Sequence, residues 1–415
     1  MPPSPSLCRA LCTSQLLTAT LAGCGSGDLA DTFAVRDSAG VSVAESTAAA
    51  WESGEGWRVT AEPVLDIGAV EGEPAYQLFN VRGATRLSDG RIVVADGGSS
   101  TLRWYDARGR FLFERGGEGG GPDEFQRLRA ASFLRLGGDT VAVVADERVA
   151  RFDGAGERSD VLPEGLDRMN ATACLADGTW VALGSAGWSI EETMVSGEAR
   201  DSFPLILLRP GATALDTLGR FPGAFRSLNI ERAGGEVVSM TIRGAAFAGG
   251  TRLTANGSEL LVGPADAHVL YGFAPEGILR RIVRWVGPDL TITEEDRAAW
   301  VERMIAARAA APGNPLRDDP AALRRSVEAT AFPPTRPAYE ALRAGPTGHL
   351  WVQLDAEPGA ERERHLVFEP DGRLLGTLTL PERFRTLDVG ADYVLGVWRD
   401  QLDVEHVRLY MLEKS

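Results

Sequence analysis

The feature of this sequence that most constrains its fold is an internal repeat. The segment from Leu65, "LDIGAVEGEPAYQLFNVRGATRLSDGRIVVAD", aligns without a gap with the segment from Phe113, "FERGGEGGGPDEFQRLRAASFLRLGGDTVAVV", at an offset of 48 residues. The landmarks that coincide are Gly68 with Gly116, Pro74 with Pro122, and Gly90 with Gly138. An apolar strand pattern follows the last landmark in both copies. A repeat of this period predicts supersecondary units that stack on one another to bury a continuous core.

Two turn signals recur along the chain. One is a glycine turn just before an apolar strand, named the leading turn here; it occurs at Gly90, Gly138, Gly178, Gly257, Gly348 and, more weakly, Gly390. The other is an aromatic residue followed by a hairpin glycine, at Gly109, Gly156, Gly277 and Gly372. Glycine supplies the positive φ that such hairpins need. The segments between the turns alternate and are rich in β-branched and aromatic residues, so each unit is predicted to be a meander of three or four antiparallel strands.

Meanders that repeat at tens of residues predict a β-propeller, in which each sheet packs against its two neighbours. The number of blades follows from a connector motif, a proline followed two or three residues later by an aromatic residue or leucine. It occurs at Pro74, Pro122, Pro163, Pro222, Pro288 and Pro381. Proline suits a connector because it cannot donate to a sheet ladder. Six connectors predict six blades, with the aromatic residue packed between neighbouring blades.

The stretch "GRIVVADGGSSTLRWYDARGRFLFERGGEGGGPDEF" resembles NHL-type repeats, and more closely those of bacterial six-bladed propeller lipoproteins. The resemblance covers roughly residues 35–413, with Asp123 at a position where that pattern usually has glycine. It implies that an N-terminal strand within 57–68 closes the ring by pairing with residues 403–412. The resemblance implies a fold and a location, and no particular reaction.

One segment departs from the strand pattern. "TITEEDRAAWVERMIAARAAAPGN" predicts a helix, with a capping box from Thr291 to Glu294 and an apolar stripe that includes Trp300. A second helix is predicted from Pro320. The stripe is expected to pack on the rim of the propeller, with a partner-binding face as the alternative. The predicted fold class is therefore all-β, a six-bladed β-propeller over residues 57–413 with a small helical insertion in the fifth blade at about 291–343.

The N-terminus predicts export. Residues 1–24 contain one arginine, no acidic residue and a short apolar run, the pattern of a secretory signal peptide. The end of this run, Leu21 to Cys24, resembles the lipobox of bacterial lipoproteins, which implies cleavage before Cys24 and acylation of that cysteine. A plain signal peptide is the alternative. Residues 25–56 are then a tether and N-terminal extension, and the location is the bacterial cell envelope, lipid-anchored at the outer membrane or facing the periplasm.

Charge and motifs exclude several classes of function. The net charge of −15 argues against a nucleic-acid partner and leaves cations and neutral molecules open. The glycines of "ERGGEGGGPDEF" predict no phosphate site, because no Lys-Ser/Thr and no helix pattern follow them. No G-x-S-x-G elbow is present, Cys174 has no nearby histidine in the sequence, and the four histidines are too far apart for a helix-borne zinc site.

The candidate site residues that the sequence favours most are aspartates. Five apolar strands, interpreted as the channel-lining first strands of their blades, end on or near an aspartate: Asp96, Asp146, Asp266, Asp355 and Asp400. Symmetry would place these carboxylates around one mouth of the channel. Such a ring suits Ca²⁺, as in propeller lactonases and related hydrolases. The alternative is that each aspartate accepts hydrogen bonds from the turn that follows it.

Two functions follow from these patterns. The first is a membrane-anchored envelope propeller that binds a protein or a small molecule on one face. The second is a calcium-dependent hydrolase, lactonase or lyase with its site at the channel axis. The missing nucleophile signatures favour the first.

Overall fold

The structure, a computed structural model, describes residues 32–414 apart from 53, 122, 127, 129–130, 146–147, 160–169, 185–196, 213–214, 235, 312 and 356–360. In this part of the chain strands predominate, and two α-helices occur. Cys24, Asp146, Pro122 and Pro163 lie outside the described residues, so the structure does not test the predictions made for them.

Short strands precede the repeat, and a 3₁₀ turn at Pro74–Tyr76 follows them. They are β1 (Phe33–Ser38), β2 (Val41–Ser46), β3 (Arg58–Val59) and β4 (Leu65–Ile67). The repeat itself consists of antiparallel meanders, numbered I to VI here. Meander I is β5 (Val81–Arg86), β6 (Ile92–Asp96), β7 (Thr101–Tyr105) and β8 (Phe111–Gly116). Meander II is β9 (Ser132–Arg135), β10 (Val141–Ala145), β11 (Arg148–Phe152) and β12 (Arg158–Ser159).

The third and fourth meanders follow. Meander III is β13 (Asn170–Cys174), β14 (Trp180–Leu183), β15 (Gly197–Leu208) and β16 (Asp216–Ala233), extended by β17 (Glu236–Gly244). Meander IV is β18 (Arg252–Asn256), β19 (Glu259–Gly263), β20 (Val269–Phe273) and β21 (Leu279–Trp285). The helices α1 (Glu294–Ala310) and α2 (Pro320–Glu328) separate it from the next meander.

The last two meanders share one hydrogen-bonded sheet, in which Arg362 and Phe384 form the single bridge between them. Meander V is β22 (Ala341–Ala344), β23 (Leu350–Gln353), β24 (Arg362–Phe368) and β25 (Leu374–Glu382). Meander VI is β26 (Phe384–Val389), β27 (Tyr393–Arg399) and β28 (Glu405–Glu413), with β4 as its fourth strand. The pairing of Ile67 with Val407 confirms the closure that the resemblance to NHL-type propellers implied.

The buried apolar residues lie in clusters between consecutive meanders. Trp104 of meander I and Phe152 of meander II share one cluster with Phe125 of the glycine-rich connector, as predicted for the connector aromatics. Equivalent clusters join II to III, III to IV, IV to V, V to VI, and VI back to I. Packing between sheets, and not within one central core, therefore holds the described part of the chain together.

The N-terminal extension differs from the predicted tether. Its strand β2 pairs in parallel with β21 of meander IV. The backbone N–H of Trp51 then donates to the carbonyl of Leu375 in meander V, and β3 pairs with β28 of meander VI. Residues 33–67 thus run along three meanders as a strap. The Ala39–Gly40 turn, which joins β1 to β2, has positive φ at both residues.

Two other sequence expectations are wrong in detail. Pro222 is not a connector, because it lies within β16, in a long hairpin whose ladder is interrupted by bulges on both sides of it.

The cap of α1 is Thr293 and not Thr291, since Thr293 and Asp296 form the capping box. The prediction for α2 is confirmed, with Asp319 as its cap and Pro320 as its first residue. Leu323 and Val327 bury the apolar face of α2.

Candidate functional site

The innermost strands of the meanders are β5, β9, β13, β18, β22 and β26. Each is the first strand of its meander, and each lies against the next: β5 against β9, β9 against β13, β13 against β18, β18 against β22, β22 against β26, and β26 against β5. This closed ring of first strands surrounds a central channel, as in a β-propeller. The side chains at the channel are therefore those of the first strands and of the turns beside them.

The assignment of the four described aspartates to first strands is wrong. The leading-turn glycines lie between the first and second strands of their meanders, so the apolar runs that follow them are second strands. Asp96, Asp266, Asp355 and Asp400 come at or after the ends of β6, β19, β23 and β27, which are all second strands. The second strand reads as the most apolar because it is buried on both faces, whereas the first strand borders the channel.

Asp96 is bound into the fold. Its side chain is almost completely buried and forms an ion pair with Arg103, with 3.3 Å between Arg103 Nη2 and Asp96 Oδ2. The backbone N–H of Phe79 donates to Asp96 Oδ1 at 2.9 Å, and the Ser99 hydroxyl donates to Oδ2 at 2.7 Å. These contacts commit both carboxylate oxygens to meander I and its connector.

The other described aspartates have separate surroundings. Asp266 forms an ion pair with Arg200. Asp400 Oδ1 accepts hydrogen bonds from the backbone N–H groups of Leu402 and Val404, at 2.8 and 2.9 Å. For Asp400 the structure therefore agrees with the alternative, in which the aspartate accepts hydrogen bonds from the turn that follows it. Asp355 is half-buried. Within the described residues, no three histidine, cysteine, aspartate or glutamate side chains are grouped so that they could hold a metal ion.

The histidines do not converge either. Each lies beside a different tryptophan, with ring centroids 4.8 to 5.8 Å apart. The pairs are His268 with Trp285, His349 with Trp57, His365 with Trp351, and His406 with Trp398. Cys174 borders the channel, but burial raises the pKa of its thiol to about 11, so it is protonated at neutral pH. No histidine therefore activates it as a nucleophile in the described structure.

Arginines, which the sequence analysis did not single out, occupy the first strands. These strands carry six of them, Arg82, Arg86, Arg135, Arg252, Arg343 and Arg385, and one acidic residue, Asp388. Their net charge is thus +5 in a chain whose net charge is −15. A sequence signal for three of them exists, because an arginine stands five residues before the leading-turn glycine in the pairs Arg252 and Gly257, Arg343 and Gly348, and Arg385 and Gly390.

These three arginines connect consecutive meanders. Each donates a guanidinium hydrogen bond to a backbone carbonyl at the start of the next meander: Arg252 to Glu340 at 2.5 Å, Arg343 to Thr386 at 2.7 Å, and Arg385 to Val81 at 2.8 Å. Arg82 makes the same kind of contact with Ala131. The contacts hold the guanidinium groups in fixed positions beside the channel.

The positive charge is only partly compensated. Burial lowers the pKa of Arg343, and Arg385 lowers it further, although Glu363 and Asp388 oppose both effects. Burial also lowers the pKa of Arg385. The carboxylates of Glu405 and Glu363 raise this pKa, whereas the nearby charges of Arg82 and Arg399 lower it further. Arginine stays protonated in proteins, so the lowered pKa values mean that these charges are poorly solvated.

A cavity of about 850 Å³ opens where the leading turns surround the channel. First strands of meanders II to VI and the turns beside them line it, with apolar side chains such as Phe133 and Leu253. The charged residues of the lining are Arg135, Arg343, Asp139 and Asp388. Asp388 Oδ2 accepts hydrogen bonds from the hydroxyls of Thr85 and Tyr393, at 2.8 and 2.9 Å. The mixed wall has the character of a small-molecule site.

A partly buried carboxylate, that of Glu363, lies behind Arg343. Glu363 Oε2 accepts hydrogen bonds from the backbone N–H and the hydroxyl of Thr386, at 2.9 and 2.8 Å, and lies 3.3 Å from His365 Nε2. Burial alone would raise the pKa of Glu363, but the hydrogen bonds from His365 and Thr386 hold it below its usual value. Burial lowers the pKa of His365, so that ring is neutral at pH 7 and carries its proton on Nε2 toward Glu363.

Neither helix in the described part of the chain is long and apolar enough to span a bilayer. No protein-family model matches the sequence, and no curated protein matches it.

Solved structures resemble the fold at low sequence identity. A member of the DUF4221 family from Bacteroides vulgatus is 10% identical, with a TM-score of 0.47, over 87% of this chain and 99% of that one. Virginiamycin B lyase from Staphylococcus aureus is 10% identical, with a TM-score of 0.36, over 86% and 100%. The calcium-binding protein regucalcin from Agrobacterium tumefaciens is 12% identical, with a TM-score of 0.32, over 82% and 93%. At these values the likeness carries no argument about function.

Proposed function

We propose that the chain is a six-bladed propeller, NHL-like in its repeats, that serves as a binding module for a small molecule in the bacterial cell envelope. Each of meanders I to VI is one blade in this proposal, and Cys24 carries the lipid that anchors the module to the membrane. The observation that carries the proposal is the cavity of about 850 Å³ at the channel mouth, walled by first strands from five meanders. Its volume lies within the range of small-molecule sites.

The lining supports binding more than catalysis. Within the described residues, the carboxylates of the site already accept hydrogen bonds from the protein, the thiol of Cys174 is protonated, and the histidines lie apart. What remains available to a ligand is a set of guanidinium groups, apolar side chains and exposed turn backbone. Such a wall recognises shape and charge without a group poised to attack a bond.

The binding role is tested by filling the cavity. Thr254 lines it, so the Thr254→Trp substitution places a large ring in the space that a ligand would occupy. A panel of metabolites is screened by thermal shift, and we expect compounds that stabilise the wild type to lose that effect in this variant. Ile278→Trp at an exposed hairpin turn is the matched control and should keep it. A panel in which no compound stabilises the wild type, or whose hits survive Thr254→Trp, contradicts the proposal.

The lipid anchor is tested separately. Expressed in a bacterial host, the wild-type chain should incorporate radiolabelled palmitate, and the Cys24→Ala variant should incorporate none, because the acylated thiol is gone. Cys12→Ala is the control, since Cys12 lies in the part of the signal that is removed. Equal labelling of the wild type and Cys24→Ala would refute the lipobox.

The alternative function, a calcium-dependent hydrolase or lyase, is tested by a thermal melt in Ca²⁺ and then in EDTA. Because Asp96 and Asp266 are each paired with an arginine, we expect the melting temperature to be the same in both. A shift of several degrees that disappears in Asp96→Asn and Asp355→Asn would favour the enzyme over the binding module.

A further inference from the structure

We propose that the ligand of the channel is an anion, a small molecule with a carboxylate or phosphate group, and that Arg343 and Arg135 bind that group. This inference rests on the proposed binding function and specifies its ligand class. The starting point is the arginines of the first strands, which carry a net charge of +5 in a chain that carries −15. Two of them, Arg135 and Arg343, line the cavity together with Asp139 and Asp388, and the other four lie on the same ring of strands. A cluster of arginines around a concave surface favours anions there over the rest of an acidic protein.

Arg343 has donors to spare. Its Nη1 donates to Gln353 Oε1 at 2.9 Å and its Nη2 to the carbonyl of Thr386 at 2.7 Å. A guanidinium group carries five N–H bonds, so three stay without a protein acceptor in the described structure. The two bonds fix the plane of the group at the cavity wall. A fixed fork of donors matches the two oxygens of a carboxylate or phosphate and loses little side-chain entropy on binding.

Arg135 lines the same cavity from meander II. Its Nη1 lies 3.5 Å from Asp388 Oδ2 and 3.4 Å from the Tyr393 hydroxyl, and its side chain is 37% exposed. The Asp388 oxygen also accepts hydrogen bonds from Thr85 and Tyr393, so Asp388 is shared among several donors. Burial alone would lower the pKa of Arg135, but Asp388 and Tyr393 raise it, so this arginine is already paired in the described structure. Its described contacts all use Nη1, so its other N–H groups can still donate to a ligand.

The carboxylates near Arg343 do not satisfy it. Glu363 faces Thr386 and His365, and no hydrogen bond joins it to Arg343 among the described contacts. Arg385, on the adjacent first strand, adds a second positive charge whose bond to Val81 leaves further donors unused. A bound anion would supply the oxygen acceptors and the negative charge that both guanidinium groups lack.

The test measures binding of three probes at low ionic strength by isothermal titration calorimetry: citrate, glucose 6-phosphate and glucose. We expect at least one of the two anions, citrate or glucose 6-phosphate, to bind. Glucose, the neutral control for glucose 6-phosphate, should not bind. Binding of citrate indicates a carboxylate ligand, and binding of glucose 6-phosphate indicates a phosphate ligand. Added salt should weaken this binding. In Arg343→Gln and Arg135→Gln the affinity should fall about tenfold to a hundredfold.

Two variants keep the result interpretable. Arg343→Lys retains the charge but not the fork of donors, so it should bind more tightly than Arg343→Gln and more weakly than the wild type, and the binding it keeps shows that a folded channel is present. Arg303→Gln, on an exposed face of α1, should bind as the wild type does. Equal affinity of wild type and Arg343→Gln, or an equal loss in Arg303→Gln, overturns the anion site. If a neutral metabolite binds in the cavity and is lost in Thr254→Trp while neither anion binds, the ligand class is wrong and the binding function stands.

Discussion

Replacing Asp96 with alanine is expected to lower the free energy of unfolding by about 3–5 kcal/mol, because it leaves a buried arginine without its partner. The Arg103 side chain is 6% exposed, and Asp96 is its one fully buried carboxylate partner among the described residues. The same substitution also removes the acceptor for the backbone N–H of Phe79. The change is measured as a shift of the urea midpoint followed by tryptophan fluorescence.

The repeat provides a matched control for this prediction. Asp400 follows the second strand of meander VI, as Asp96 ends that of meander I. It caps its own turn, and among the described residues it pairs with no buried cation. Asp400→Ala should therefore cost about 1 kcal/mol or less. If both alanine variants lose the same stability, Asp96 is not the structural anchor described here.

The second large effect is expected for Trp104→Ala. Trp104 has no exposed surface, stacks on Phe113 with ring centroids 5.0 Å apart, and contacts Phe152 of meander II. Removing a buried indole leaves a cavity between two meanders and should cost about 3–5 kcal/mol. The midpoint of unfolding in urea again measures the loss.

Trp104→Phe separates packing from hydrogen bonding. The indole N–H of Trp104 has no partner among the described residues, so phenylalanine removes no hydrogen bond and keeps an aromatic ring in the stack. Its cost should be about 1–2 kcal/mol. A Trp104→Phe variant as unstable as Trp104→Ala would contradict an interface held by aromatic packing.

The meander repeat could be predicted because its signals are local. Hairpin glycines must adopt positive φ, and Gly109, Gly156, Gly277 and Gly372 do so, with φ from 76° to 96°. These signals depend on residues close in sequence or on an alternating pattern that a single chain shows. The pairing of β4 with β28 joins residues far apart in sequence, and it was expected only because of the resemblance to NHL-type propellers.

The candidate site could not be predicted in the same way. First strands such as "ALRA" and "SFLR" are short and carry arginines, so they read weakly as strands, while the second strands are apolar throughout. The leading turn was therefore interpreted as the start of the innermost strand. That error of one strand placed Asp96 and Asp400 at the channel and left Arg343 unnoticed.

Long-range pairing accounts for the remaining differences. Pro222 reads as a connector from its neighbours in sequence, but it pairs with Ser202 in a hairpin whose strands are far longer than those of the other meanders. The strap formed by residues 33–67 depends on contacts with meanders IV, V and VI, which no local pattern reports.

The central claim is that the channel is a binding site in which the first-strand arginines Arg343 and Arg135 bind an anion. Crystals of the chain soaked in sodium selenate, an anomalously scattering oxyanion, test it most directly. The account predicts an anomalous peak inside the channel cavity at hydrogen-bonding distance from the guanidinium groups of Arg343 and Arg135, absent from crystals of Arg343→Gln. Selenate found only on the outer surface, or Asp96 found facing a metal ion at the channel mouth, would contradict it.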